Sequence, residues 1–461
     1  MLFNYSLRLS PYAATLCMAL MLTLPSFPER LNAATIEDSL AAGLQRSNAI
    51  AASRQAFVVA RQAIGQATAA NDLTGTFAFS GSDIHTDSKS KTGGFDGNTS
   101  LVGSLTLSKR LYDSGEANTK LDIAKFDVLI ARAEYKLTEQ NLIFDVISAH
   151  LAVLTAQKEF DIRNENELRL KAHTEAARIR LEAGTSTPTR LAEAEARLAR
   201  ALSDKIVAEA SLQTAFEAYQ SITGLEVMSL KAFDRPIGSP TTMAAAEAEA
   251  VLSHPSVMIA NLKAKSSGLQ FKVLKQSVLP KIDLSLSATQ MDQDGTSFDK
   301  NEVTTKLQLS TPFLVTEATR SASKSRQASY AKAQLDAAET RRVVSLSARR
   351  AFRDYKSAGA QIQAVEAELK AASLVAEGTA NEVEFGLKTL LDQLDAEQNL
   401  SDAELRYVQA QHALVLNGYD VARATGQLSV NSFDLFEILP ELDSISDPSS
   451  RYPYPIPLMT Q

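Results

Sequence analysis

Between residues 35 and 428 the hydrophobic and polar positions fall into two matching series of elements. A helical stretch from Thr35 to Ala70 opens with Thr35-Ile36-Glu37-Asp38, a sequence suited to capping a helix N-terminus. Then Leu73, Gly75, Phe77 and Phe79 alternate with Thr74, Thr76, Ala78 and Ser80, the period-two pattern of a strand with unlike faces. A polar stretch, Gly81 to Gly97, leads to a second alternation in which Leu101, Gly103, Leu105 and Leu107 stand against Ser100, Val102, Ser104, Thr106 and Ser108. Together they predict a hairpin over 73–108. From Glu116 to Glu182 there is neither Pro nor Gly, and Phe144, Ile147, Leu151 and Leu154 form a stripe at helical spacing. That predicts a helix over 116–183, ~100 Å long at 1.5 Å per residue. After a short break, a return helix of about half that length is expected over 189–222.

The series then repeats. Leu105-Thr106-Leu107-Ser108 recurs as Leu307-Gln308-Leu309-Ser310, at an offset of 202 residues. Gly184 recurs as Gly386, Ala194-Glu195 as Ala396-Glu397, and Thr223-Gly224 as Thr425-Gly426, all at the same offset. Ahead of them Ser47-Asn48 matches Ser253-His254 at an offset of 206. A constant offset over so long a span is a duplication. Repeat 1 is therefore placed at 35–228 and repeat 2 at 242–428, joined by a linker or equatorial segment over 229–241. Repeat 2 is expected to hold a helix, a hairpin over 282–311 with its loop at Met291 to Asn301, a long helix over 318–385 and a return helix over 388–424. Residues 429–461 read as a C-terminal equatorial segment and mobile tail.

Half-length helices stacked end to end match one long helix, which gives a parallel-sided bundle of constant height. The helices alone would suit a pair of coiled-coil hairpins equally well. The four strands decide more. If they cross a bilayer they cannot do so as an open sheet, because the edge amides would lack partners, and membrane barrels need about eight strands or more. Several chains would each contribute four, and a lumen wide enough for cargo favours twelve strands over eight. A soluble sandwich produces the same alternation and remains the competing reading at this point.

Composition narrows the function. Forty-seven basic and 54 acidic residues give a formal charge of −7, so the chain has no polycationic footprint for nucleic acid. Arg8, the apolar run Ala13 to Leu24, and Ala33-Ala34 read as a secretory signal over 1–34. Cys17 is the sole cysteine and lies within it, so the exported chain is held by packing and assembly, with no disulfide. His85, His150, His173, His254 and His412 are scattered without metal-ligand spacing. No phosphate-cradling loop or Gly-x-Ser-x-Gly elbow occurs. No enzyme activity, cofactor or metal is expected.

The duplication, the hairpins, Leu111-Tyr112-Asp113-Ser114-Gly115 and Leu309-Ser310-Thr311-Pro312-Phe313 resemble the TolC family of outer-membrane efflux and secretion channels. The strongest local match is Phe385 to Glu397, FGLKTLLDQLDAE, which is similar to the family's Gly-x-x-Thr-x-x-Asp-x-x-Asp/Asn-Ala-Glu stretch; Gly184 to Glu195 is a weaker copy. The resemblance implies a fold of mixed α and transmembrane β structure. Three chains would form a helical barrel continuous with a shared 12-stranded β-barrel, four strands per chain. It implies an outer-membrane location with the helices in the periplasm, and a passive exit duct for efflux or type I secretion. The partners it implies are a periplasmic adaptor and an inner-membrane transporter, ABC-type or proton-driven. The turns at Gly184 and Gly386 would form the periplasmic tip. Asp392 and Asp395, three apart on one helix face, match the family's acidic constriction and would ring the pore entrance, with Glu193 and Arg190 at the repeat-equivalent positions. Family members often have an Asp where Arg190 stands, paired with a basic residue matching Lys388. Here both positions are basic, so Arg190 is expected to turn to Asp392 or Glu384 instead. A periplasmic adaptor or structural coiled-coil protein is the alternative, and would lack the membrane strands.

Overall fold

The computed structural model describes residues 33–87, 95–226, 229–232, 240–293, 300–314 and 316–433. All but the last two residues of the expected signal, and the tail from 434 onward, lie outside them. Repeat 1 comprises α1 (Ile36–Arg46), α2 (Asn48–Thr68), β1 (Thr74–Asp87), β2 (Phe95–Tyr112), α3 (Glu116–Glu182) and α4 (Pro188–Thr223). Repeat 2 follows the same order with α5 (Met243–Ser253), α6 (Pro255–Ser277), β3 (Lys281–Gln293), β4 (Lys300–Ser310), α7 (Glu317–Glu384) and α8 (Leu390–Ala424).

The stretch expected as one helix from Thr35 to Ala70 is two. Ser47 adopts extended backbone, closes α1 and caps α2, its side chain accepting from the Ile50 amide. His254 plays the same part between α5 and α6, where its ring accepts from the Ser256 amide and Pro255 fills the first helical position. The strands also reach beyond the expected hairpin loops, to Asp87 and Phe95 in one pair and to Gln293 and Lys300 in the other. Polar residues there conceal the alternation, yet ladder hydrogen bonds need only backbone.

The long helices carry the architecture. Above the midpoint the helices lie side by side in the order α2, α3, α6, α7, and below it in the order α4, α3, α8, α7. The half-length helices meet end to end at an equator where the largest buried cluster sits. Leu40, Leu44, Ile143, Val146 and Ile147 are buried there, with Phe433 of a short C-terminal 3-10 turn packed on them. Each such side chain contributes about 1.5–3 kcal/mol. Gly426 touches the chain between α5 and α6 so closely that a Cβ would lie 2.8 Å from the His254 Cα and the Ser253 carbonyl oxygen.

In repeat 1 the equator also holds a polar chain. His150 is fully buried, and its Nε2 lies 3.0 Å from the Lys231 carbonyl, so that nitrogen carries the proton and donates. Nδ1 lies 3.0 Å from the Ser39 hydroxyl, which is also 2.7 Å from Tyr219 OH and donates to the Thr35 carbonyl at 2.8 Å. At the duplicated positions stand Phe352, Ala245 and Val421, so repeat 2 lacks this polar chain. Burial holds His150 below the usual imidazole range despite the Lys231 carbonyl and the nearby Glu37. Between the depressed folded value and the ordinary value of about 6.5 the unfolded chain binds the extra proton, so stability falls as pH drops through that window. His254 and His412, also lowered by burial, add to the same trend. Melting temperature from pH 7.5 to 5.5 should therefore decline. It should decline less in His150→Gln, which has no proton to gain there.

The sheet is antiparallel in the order β1-β2-β3-β4, and among the described residues one edge of β1 and one edge of β4 have no strand partner. Register places Phe77, Leu105, Ala288 and Val303 side by side on one face. The other face carries Thr76, Thr106, Ser287 and Thr304 in one row. Phe77 is 76% exposed and Leu307 67%, so among the described residues of the single chain these positions of the apolar face stand open.

Candidate functional site

At the end of the bundle remote from the sheet, both long helices stop by the same device. After α3, Gly184 takes φ +73; its amide donates to the Leu181 carbonyl at 2.9 Å and the Thr185 amide to Arg180 at 2.8 Å. After α7, Gly386 takes φ +71, with its amide donating to Val383 at 3.0 Å and that of Leu387 to Glu382 at 2.8 Å. This paired bonding satisfies the last carbonyls and needs a left-handed residue, which glycine supplies without a Cβ clash.

The return helices start differently. Thr389 caps α8 with a capping box: its amide and hydroxyl donate to Asp392 at 2.8 and 2.6 Å, and the Asp392 amide donates back to the Thr389 hydroxyl at 3.3 Å. The bond from the Thr389 hydroxyl, reinforced by its amide, holds the Asp392 carboxyl below the usual carboxylate range. In α4 the third helical position is Arg190, which cannot accept, and Pro188 at the first position supplies the helical φ instead. Arg190 thus stands exposed at the start of α4. Among the described residues its expected pairing with Asp392 or Glu384 is not made.

The other expected charges find different mates. Lys388 folds back on Glu382 within its own turn at 2.7 Å. Asp395 pairs with Arg197 of α4 at 2.7 Å, and Glu193 lies 3.9 Å from the same guanidinium. Arg197 therefore ties the repeat 2 hairpin to the repeat 1 hairpin. Deeper in, His173 of α3 lies 3.1 Å from Glu397 of α8, and Gln393 donates to Glu397 at 3.0 Å. Burial pushes Glu397 up, but the His173 contact, Gln393 and the more distant Arg169 outweigh it and hold the carboxyl low. Leu170, Leu198, Ala201 and Leu394 pack beneath these contacts. Arg197, Glu382 and His173 are given no role by the sequence, and Glu397 is marked only as part of a recognisable stretch, because their roles depend on which helices face each other. The duplication places α4 and α8 at matching positions without saying that they are bridged.

In this arrangement the hydroxyl and carboxylate that touch, Thr389 and Asp392, are the two halves of a capping box. Among the described residues no group of three His, Cys, Asp or Glu is placed to hold a metal ion. What it does offer is exposed carboxylate, with the Asp395 side chain 57% and Glu193 44% accessible, on hairpins pinned by solvent-facing ion pairs. Such pairs are worth about 0–1 kcal/mol each, beside the apolar contacts of Leu170, Ala201 and Leu394.

Residues 40–225 and 248–427 match the outer membrane efflux protein family. The outer membrane efflux protein BepC of Brucella suis is 25% identical over 350 residues, covering 76% of this chain and 77% of its own. Outer membrane protein TolC of Vibrio cholerae is 24% identical, over 71% of this chain and 77% of its own. In fold the chain is similar to the CmeC outer membrane channel of Campylobacter jejuni, with a TM-score of 0.75 at 16% identity over 88% of this chain and 90% of that one.

Proposed function

The chain belongs to the outer membrane efflux protein family, and we infer from this that three copies close into one continuous duct across the outer membrane and through the periplasm. The observation that carries the reading is a coincidence of edges. The sheet ends in β1 and β4, and the helical layer ends in α2 with α4 on one side and α7 on the other. Chain order puts β1 after α2 and β4 before α7. Both layers are therefore open on the same two sides, which is what a head-to-tail ring requires. Two copies would give eight strands, whose lumen is about filled by side chains; three give twelve and leave a passage.

The apolar face supports a membrane position. On β2 its side chains include Leu101, Leu105 and Leu107, and on β3 they run from Ile282 to Ala288, which pair with Tyr112 to Leu105. With Phe77 beside Leu105 and Val303 beside Ala288, one apolar band crosses all four strands, as the lipid-facing side of a membrane barrel requires.

At the far end, threefold symmetry would gather Asp392 and Asp395 into six carboxylates, with Glu193 beside them, at a narrow entrance. Such a ring concentrates cations and repels anions. Arg197 holds its Asp395 corner in place, and Gly184 and Gly386 turn the hairpins that carry it. Directionality in a passive duct comes from partners: a periplasmic adaptor meeting the tip, and an inner-membrane transporter, ABC-type or proton-driven, that supplies energy.

Planar-bilayer recording tests the entrance. The Asp392→Asn/Asp395→Asn variant is expected to lower cation-over-anion preference roughly tenfold while leaving the oligomer intact. An unchanged reversal potential would remove the ring from the mechanism. Recovery of wild type as a soluble monomer would remove the duct.

A further inference from the structure

We propose that the collar of lysines where helices meet strands binds the phosphate headgroups of anionic glycerophospholipids in the periplasmic leaflet; this rests on the duct reading above. From Pro255 to Lys281 the chain carries five lysines and no acidic residue. The other end of the same hairpin is opposite in sign, with four acidic residues and one lysine over 292–302. The two sides of the expected bilayer band thus meet chemically different borders.

Position sharpens the assignment. Lys109 is exposed and pairs in register with Leu284, so it stands on the apolar face, one step below Leu107. A lysine there can lay its methylene stem along apolar surface and lift its ammonium to the headgroup level. In α6, the exposed Lys272 and Lys275 share one helix face, and the exposed Leu279 follows just past the helix end. The leucine is nearest the sheet, and the lysines lie about one and two turns below. The Lys275 ammonium sits 4.3 Å over the Phe271 ring, which raises it from the helix surface without neutralising it. Lys281, by contrast, faces the other side of the sheet and is spent on Glu116 at 2.7 Å, so it takes no part. Lys263 is likewise spent, on Glu134 at 2.9 Å, whereas Lys109, Lys272 and Lys275 make no ion pair among the described residues; an apolar strip bordered by these three on its helical side fits an anionic lipid leaflet by charge and by continuity with the membrane band.

The test uses the assembled full-length protein. Its oligomer in the outer-membrane fraction is verified first, since absence there would defeat the duct reading itself. The protein is placed in nanodiscs of phosphatidylcholine mixed with phosphatidylglycerol, or with lipid A, and retained lipid is counted by native mass spectrometry. Phosphatidylglycerol is expected to be enriched about tenfold over phosphatidylcholine. The enrichment should vanish in Lys109→Ala/Lys272→Ala/Lys275→Ala and persist in the corresponding arginine triple variant. Lys306→Ala, on the opposite sheet face, should retain lipid as wild type does. Equal retention of the two phospholipids, preference for lipid A, or unchanged enrichment in the alanine variant would overturn the proposal.

Discussion

Gly426→Ala is expected to be the most damaging small substitution in the helical part, removing most of the oligomer from outer membranes at 37 °C. The residue sits at φ +78, where any side chain costs ~1–2 kcal/mol. The new methyl group would also meet backbone atoms of Ser253 and His254 at 2.8–2.9 Å. Those atoms cannot step aside, because they are the joint between α5 and α6 on which the end of α8 rests. Overpacking of this kind adds ~1–3 kcal/mol, and the combined loss is a large share of a typical folding free energy of about 5–15 kcal/mol. Three related glycines calibrate the result. Gly184 and Gly386 have positive φ but open space around the missing Cβ, so their alanine variants should lose only ~1–2 kcal/mol. Gly224 faces the side chain of Arg46, which can swing away, so Gly224→Ala should fall between. Oligomer yield and melting temperature across the four variants measure the order. If Gly426→Ala proves as mild as Gly386→Ala, the close stacking of α8 on the α5–α6 joint is not what fixes the equator.

Leu307→Lys is the second large effect, and its neighbour provides the control. Leu307 pairs with Leu284 on the apolar face, two strands along the row from Lys109, so a cation there lies toward the border of the band and costs up to about 2 kcal/mol, incurred once in each copy of the ring. Yield of the oligomer in the outer membrane should fall. Gln308 points to the opposite face, beside Asp283, which already accepts from Arg110 at 2.9 Å. Gln308→Lys should therefore assemble as wild type does, judged by heat-modifiable mobility and by outer-membrane yield. Failure of both variants alike would mean that the two faces of β4 do not separate lipid from lumen.

Much of this architecture is legible in the residues because each long element obeys one simple rule. Uninterrupted helix formers from Glu116 to Glu182 leave no stopping point, and Leu105 against Ser104 and Thr106 leaves no doubt about period two. Duplication at constant offset then makes one half vouch for the other. The rule fails where backbone geometry acts without a compositional trace. Ser47 breaks a helix among residues that all favour helix, and Asp83 stays in a strand although both faces there are polar. At the tip, Gly184 and Gly386 are readable because a left-handed cap needs glycine, and Asp392 and Asp395 because they follow a recognisable stretch. Arg197 is not readable, since an arginine among many on α4 gains meaning only from the α8 carboxylate opposite. His150 is hidden for the same reason: Ser39, Tyr219 and the Lys231 carbonyl reach it from far along the chain.

The two hairpin turns share a backbone path but not a surface. Phe385 and Leu387 flank one turn at 79% and 77% exposure, whereas Ala183 and Thr185 flank the other. A ring of three copies consequently offers six turns in near-hexagonal outline, greasy and hydroxylated in strict alternation. Six identical projections pressed against it would split into two unlike sets of three, and rotating them by one sixth of a turn would exchange every contact for its opposite.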